Sequence, residues 1–202
     1  MTVSEDDIYK VPGNYVTAEL KVKKSRFISQ LFRVREKEEA EEKYTEIKKQ
    51  NYNATHNCFA YRINEHEFRY SDDGEPSGTA GKPILAALDG KPVLEVLCVV
   101  TRYFGGTKLG TGGLIRAYAD ATNLALDQVV IKRKIRSNLL KLSFGYEMEN
   151  TVRKLINDFN GRIQSGNYLK NIEMEVTIPH SQSDLFAAKI IEVSNNQIKI
   201  EK

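Results

Sequence analysis

Long apolar runs are missing from this 202-residue chain. No stretch approaches the roughly 20 residues that a bilayer-crossing helix needs, and the opening MTVSEDDIYK lacks the apolar core of a secretory leader. A soluble, cytoplasmic protein is expected. Cysteine is scarce: Cys58 and Cys98 are the two present. Each sits in an apolar, strand-like run outside any CxxC pair, so buried, reduced thiols are expected rather than a disulfide framework. The three histidines, His56, His66 and His180, stand at no ligand spacing; no metal and no cofactor are expected. Charge of one sign is not in excess either. Thirty basic against 27 acidic residues leave +3, too little to mark a nucleic-acid binder by bulk charge, so any such role rests on local patches. Nothing points to DNA sequence specificity. The 41% hydrophobic and 28% charged content is that of an ordinary globular protein, long enough for one large domain or two small ones.

Periodicity divides the chain near residue 135. Residues 15–34 read as two strands joined by a polar turn at Lys23-Lys24-Ser25. Residues 36–50 read as a surface helix with Ala40, Tyr44 and Ile47 on its apolar stripe. Residues 57–62 and 67–70 form a hairpin pair, and 79–88 a short helix carrying Pro83 in its first turn. VLEVLCVVT, residues 93–101, has the β-branched character of a central strand. A helix over 114–127 follows, then a strand over 129–134 that runs into a basic connector. Beyond it come a strand at 139–144, an amphipathic helix from Met148 to Phe159 ended by Asn160-Gly161, and strands at 162–165 and 172–178 separated by Gly166-Asn167. A Ser181/Asp184 capping box then opens another helix, and a strand at 197–200 closes the chain. The latter order is βαββαβ, the ferredoxin-like split motif. An α+β chain with domains at 1–134 and 135–202 is expected.

Glycine is unevenly spent. Nine of the thirteen fall between Asp72 and Ala119, where they mark positive φ or a close approach to the backbone. Gly78-Thr79-Ala80-Gly81-Lys82 fails the phosphate-loop pattern, with Pro76 and Pro83 where Gly and Ser or Thr are required. The Gly105–Gly113 run fails GxGxxG because Ile115 stands where a glycine is needed, and VVIKRK lacks the ribose-binding acid. What survives is a helix N-terminus with outward N–H groups, flanked by cations and rings. The candidate anion- or RNA-binding set is Lys82, Arg102, Tyr103, Phe104, Gly105, Gly106, Lys108, Gly110, Gly112, Gly113 and Arg116. Packing of tight turns alone and a protein-docking face are the alternatives. Asp72, Asp73 and Glu75 form a possible acidic site, able to hold a cation or share a proton, or else simply to build a turn. His56 and Cys58 would share a strand face, but no orienting acid or oxyanion hole accompanies them.

Two blocks carry a resemblance. Asp73-Gly-Glu-Pro-Ser-Gly-Thr-Ala-Gly81, and Gly81-Lys-Pro-Ile-Leu85 followed by Val99-Val-Thr-Arg-Tyr-Phe-Gly-Gly-Thr-Lys-Leu-Gly110, resemble the signature of the YigZ/IMPACT family. The likeness extends more weakly from about Tyr15 to Ile131. It implies an N-terminal α+β domain with the fold of the second domain of a small-subunit ribosomal protein. The C-terminal piece would resemble a ferredoxin-like domain of elongation factor G. Eukaryotic relatives act in translational control and carry an extra N-terminal interaction domain, for which this chain has no room. A bacterial-type member tied to RNA or the ribosome is implied, with a protein partner in translation control as a further possibility and no catalytic residues to carry across. Two classes of function therefore stand: a non-enzymatic RNA- or ribosome-associated protein of translation regulation, and an enzyme acting on a phosphorylated or nucleotide-like small molecule through Asp72, Asp73 or Glu75.

Overall fold

The computed structural model describes residues 2–201, which cluster into two compact units: 10–133, and 2–9 together with 134–201. No helix among the described residues is long and apolar enough to cross a membrane.

The larger unit is a five-stranded antiparallel sheet with helices on both faces. Its strands are β2 (Val16–Val22), β3 (Ser25–Arg33), β4 (His56–Arg62), β5 (Phe68–Ser71) and β6 (Val96–Tyr103), in the order β2-β3-β6-β4-β5. The apolar run expected to lie centrally does so. β6 pairs with β3 on one side and β4 on the other, and all its residues except Tyr103 are buried. It begins three residues later than the apolar pattern, because Glu95 takes φ +53° and breaks the extended backbone.

The period of two along β6 sorts its side chains. Val96, Cys98 and Val100 join the core beneath α2 (Gly81–Gly90) and α3 (Thr111–Leu126). Leu97 and Val99 join a second core with Phe59, Tyr61 and the Ala40/Ile47 stripe of α1 (Lys37–Gln50). Leu114, Tyr118, Ala121 and Ala125 form the buried face of α3, each large member contributing about 1.5–3 kcal/mol by leaving water. Pro83 falls in the first turn of α2, where its missing N–H costs nothing.

The smaller unit contains β8 (Ser137–Phe144), α4 (Glu149–Asp158), β9 (Arg162–Tyr168), β10 (Ile172–Pro179), α5 (Ser183–Val193) and β11 (Lys199–Glu201). The βαββαβ order is present, in an antiparallel sheet β11-β8-β10-β9. Two local expectations give way. Gly166-Asn167 lies inside β9, paired with Met174 and Glu173, and the turn falls at residues 169–171 instead. Ser181 caps no helix. Its backbone N–H and hydroxyl both donate to the Asp7 carboxylate, at 3.0 and 2.6 Å, and α5 starts after Gln182. A separate two-stranded sheet pairs β1 (Ile8–Pro12), which no apolar period in the sequence marks, with β7 (Ile131–Ile135).

Candidate functional site

Register brings the glycine-rich segments together. Val22 pairs with Ser25, Arg26 with Tyr103, His56 with Arg102, and Phe59 with Ser71. One end of the sheet therefore collects the β2–β3 turn, the loop 51–55, the loop 72–80 and the loop 104–110. Tyr118 lies against Cys58, while Thr122, one turn on, lies against Cys98. α3 thus starts at this same end and runs toward the other.

The acidic residues here turn inward. Asp72 caps α2: one carboxylate oxygen accepts from the N–H groups of Ala80 and Gly81, both at 2.9 Å, and the other from Gly78 at 2.8 Å. The positive end of the α2 dipole is satisfied by the chain itself. Asp73, held at φ +43° with Gly74 following at +89°, accepts from the Asn57 N–H and from Lys48 Nζ, each at 2.7 Å. Glu75 is buried, accepting from Arg102 at 2.5 Å and from the Tyr118 hydroxyl at 2.8 Å. The His56 ring contacts both: its Nδ1 donates to the Asp73 carbonyl at 2.8 Å, since a carbonyl only accepts, and its Nε2 stands 3.9 Å from Glu75.

Arg102 is the residue of the anion set that the structure withdraws from the surface. It shares a strand face with Val96, Cys98 and Val100, which drives its side chain under α3, where 7% of it is exposed. Its guanidinium lies 5.5 Å from the ring centroids of both Phe27 and Phe104, and its buried Nε has no hydrogen-bond partner. Cys58 and Tyr118 complete the cluster, with Sγ 3.0 Å from the Asp72 carbonyl and 3.3 Å from the Tyr118 hydroxyl. Burial pushes both the Cys58 thiol and the Tyr118 phenol well above their ordinary pKa values, and the Cys98 thiol up to about 12. An unactivated thiol bonded to a carbonyl does not make a dyad with His56. Among the described residues no cluster of His, Cys, Asp and Glu is arranged to hold a metal ion.

Most of the remaining candidates face outward. Lys82, Lys108, Gly112 and Arg116 are exposed, Phe104 is 47% exposed, and Gly113 is half-buried. Tyr103 is half-buried, its hydroxyl donating to Asn51 at 3.1 Å and lying 3.5 Å from Asn53. Gly106 and Gly110 take φ of +87° and +72°, with open space around each. Gly105 is required for another reason: a Cβ there would overlap the Lys24 carbonyl. Gly110 is the N-cap of α3 and supplies no side-chain bond, so this helix begins uncapped at an exposed surface. Lys23, Lys24 and Tyr52 share this end of the sheet. Their exposure was not legible in a doubled lysine and a lone tyrosine between asparagines.

Comparison with known proteins gives this arrangement its relatives. The family model "Impact N-terminal domain" matches residues 23–126, a span that takes in all four loops. The chain is 38% identical to the IMPACT family member YvyE of Bacillus subtilis over 187 residues, covering 91% of this chain and 86% of that protein. It is 34% identical to the IMPACT family member YigZ of Escherichia coli over 194 residues, covering 94% and 95%. A crystal structure of a hypothetical protein superposes with a TM-score of 0.72 at 33% identity, covering 96% of each chain. With a family model over half of its residues and relatives 34% and 38% identical over most of both chains, the chain belongs to the IMPACT family.

Proposed function

We propose that this protein is a non-enzymatic, RNA- or ribosome-associated member of its family that acts in regulation of translation, and that the sheet end built from loops 22–25, 51–55 and 104–110 meets the RNA. The observation that carries the reading is the opposite treatment of the two charge signs there. Asp72, Asp73 and Glu75 are consumed by α2, Lys48 and Arg102, whereas the cations stay exposed: Lys82 in the first turn of α2, and Lys108 and Arg116 on either side of the uncapped start of α3, with Phe104 exposed in the loop before it. Outward cations, free backbone N–H groups and a ring suit a phosphate backbone with an unstacked base. Membership of a family with translation-related roles supports the same reading. The rival, an enzyme on a phosphorylated or nucleotide-like small molecule, draws little support from the carboxylates it needs as base or ligand: both oxygens of Asp72 and of Asp73 are bonded within the chain, and Glu75 is buried and bonded to Arg102 and Tyr118.

Fluorescence anisotropy with single-stranded RNA, together with sedimentation of the protein with ribosomes, tests this over a range of KCl. Binding is expected to weaken steeply with salt. The double variant Lys108→Ala/Arg116→Ala is expected to bind roughly tenfold more weakly and to lose about 1.4 from the slope of log K against log salt, at about 0.7 per phosphate contact. Its unfolding transition should match wild type, because both side chains are exposed. Absence of any salt-sensitive binding by the wild-type protein to RNA or ribosomes would overturn the proposal.

A further inference from the structure

The tightest turn at this end of the sheet is made from an unusual pair. Val22 pairs directly with Ser25, leaving Lys23 and Lys24 as a two-residue hairpin loop with φ of +44° and +68°. A two-residue turn with positive φ at both positions favours Asn-Gly, because every other side chain meets steric resistance in the left-handed region. Both lysines are exposed, and neither forms an ion pair among the described residues. Local strain of this kind concentrates where function requires a side chain that the backbone disfavours.

The tip is also fixed in place. The Lys24 carbonyl fits against Gly105, whose N–H donates to Ser25 Oγ at 3.1 Å, so the turn and the loop bearing Phe104 and Lys108 form one unit. On the adjacent strand, the Phe104 N–H donates to Thr55 Oγ1 at 3.0 Å and the Thr55 N–H to the Arg102 carbonyl at 2.8 Å. With the Tyr103 hydroxyl between Asn51 and Asn53, these bonds anchor the 51–55 loop. That loop carries Tyr52, which at 85% has the greatest exposure of the exposed large hydrophobic side chains. Two unpaired ammonium groups and two exposed rings thus stand on segments tied to one another.

We infer that the Lys23-Lys24 turn is a phosphate grip for single-stranded RNA whose unstacked bases lie on Tyr52 and Phe104. The inference rests on the RNA reading above and names the form of RNA. A duplex keeps its bases stacked inside and offers nothing to the two rings, whereas a single strand supplies a base face for each and backbone phosphates for the lysines.

The chemistry of the turn provides a test in which binding and stability move in opposite directions. Lys23→Asn/Lys24→Gly installs the residues the turn prefers, so its Tm is expected to rise. Affinity for a fluorescein-labelled 12-mer of uridine is expected to fall roughly tenfold, with about 1.4 lost from the salt slope. Tyr52→Ala should weaken the same oligonucleotide roughly tenfold with the slope unchanged, since the ring carries no charge. A turn that serves only the fold would show the raised Tm with wild-type affinity and slope, and that result overturns the inference, as does a lowered Tm. Equal binding of wild type to an RNA duplex or to polyglutamate would also overturn it. If wild type binds neither RNA nor ribosomes, the broader proposal falls; if it binds ribosomes but no single-stranded RNA, or binds the oligonucleotide and both variants match it, this inference alone does.

Discussion

Arg102→Ala is expected to lower the unfolding free energy by about 3–5 kcal/mol, the cost of stranding a buried carboxylate. Arg102 and Glu75 are 7% and 2% exposed and bonded to each other, so removing the cation leaves Glu75 with the Tyr118 hydroxyl and, at 3.9 Å, the His56 ring. The damage should spread, because Tyr118 packs edge-on against Phe27 at 5.1 Å and anchors α3 to the sheet. The paired change Arg102→Met/Glu75→Leu is expected to recover most of the loss, since a buried ion pair contributes little beyond an apolar replacement of similar volume. Urea denaturation of both single variants and the double variant measures this. A near-wild-type midpoint for Arg102→Ala would show that the pair is not buried as described. This outcome also separates Arg102 from Lys108 and Arg116: its loss should act on stability, theirs on binding.

Asp72→Ala is expected to cost about 2–4 kcal/mol, because three backbone N–H groups lose a charged acceptor and the α2 dipole loses its counter-charge. Asp72→Asn keeps one acceptor oxygen and should retain about half of that contribution. The effect is local in origin. α2 carries Ile84, Leu85 and Leu88 into the core shared with α3, so loosening its first turn exposes that core at one end. Denaturation midpoints, with amide exchange at Gly78, Ala80 and Gly81, test the assignment. Unchanged protection of those three amides in Asp72→Ala would contradict it.

Elements with a strong period were legible in the sequence for a physical reason. The β-branched run of β6 and the Leu114/Tyr118/Ala121/Ala125 stripe of α3 are dictated by burial on two faces and on one face respectively, and burial leaves its mark on composition. The βαββαβ order followed from the same kind of signal. Non-local partners leave no such mark. Asp72 reaches N–H groups six to nine residues away, Ser181 is claimed by Asp7 rather than by a helix, and Glu75 meets Arg102 across 27 positions. Arg102 was the one such residue that alternation alone places correctly: counting in twos from Val96 sends it to the α3 face, against the expectation that a basic residue beside glycines faces water. Turn chemistry misled at Gly166-Asn167, where glycine sits within a paired strand, and was silent at Lys23-Lys24, where the residues oppose their own backbone conformation.

Photo-crosslinking with a 4-thiouridine single strand, followed by peptide mapping on the 202-residue chain, tests the central claim most directly. Crosslinks are predicted in the segments 51–55 and 104–116, with loss of signal as KCl rises. Crosslinks confined to residues 137–201, with 51–55 and 104–116 unmarked, would contradict it.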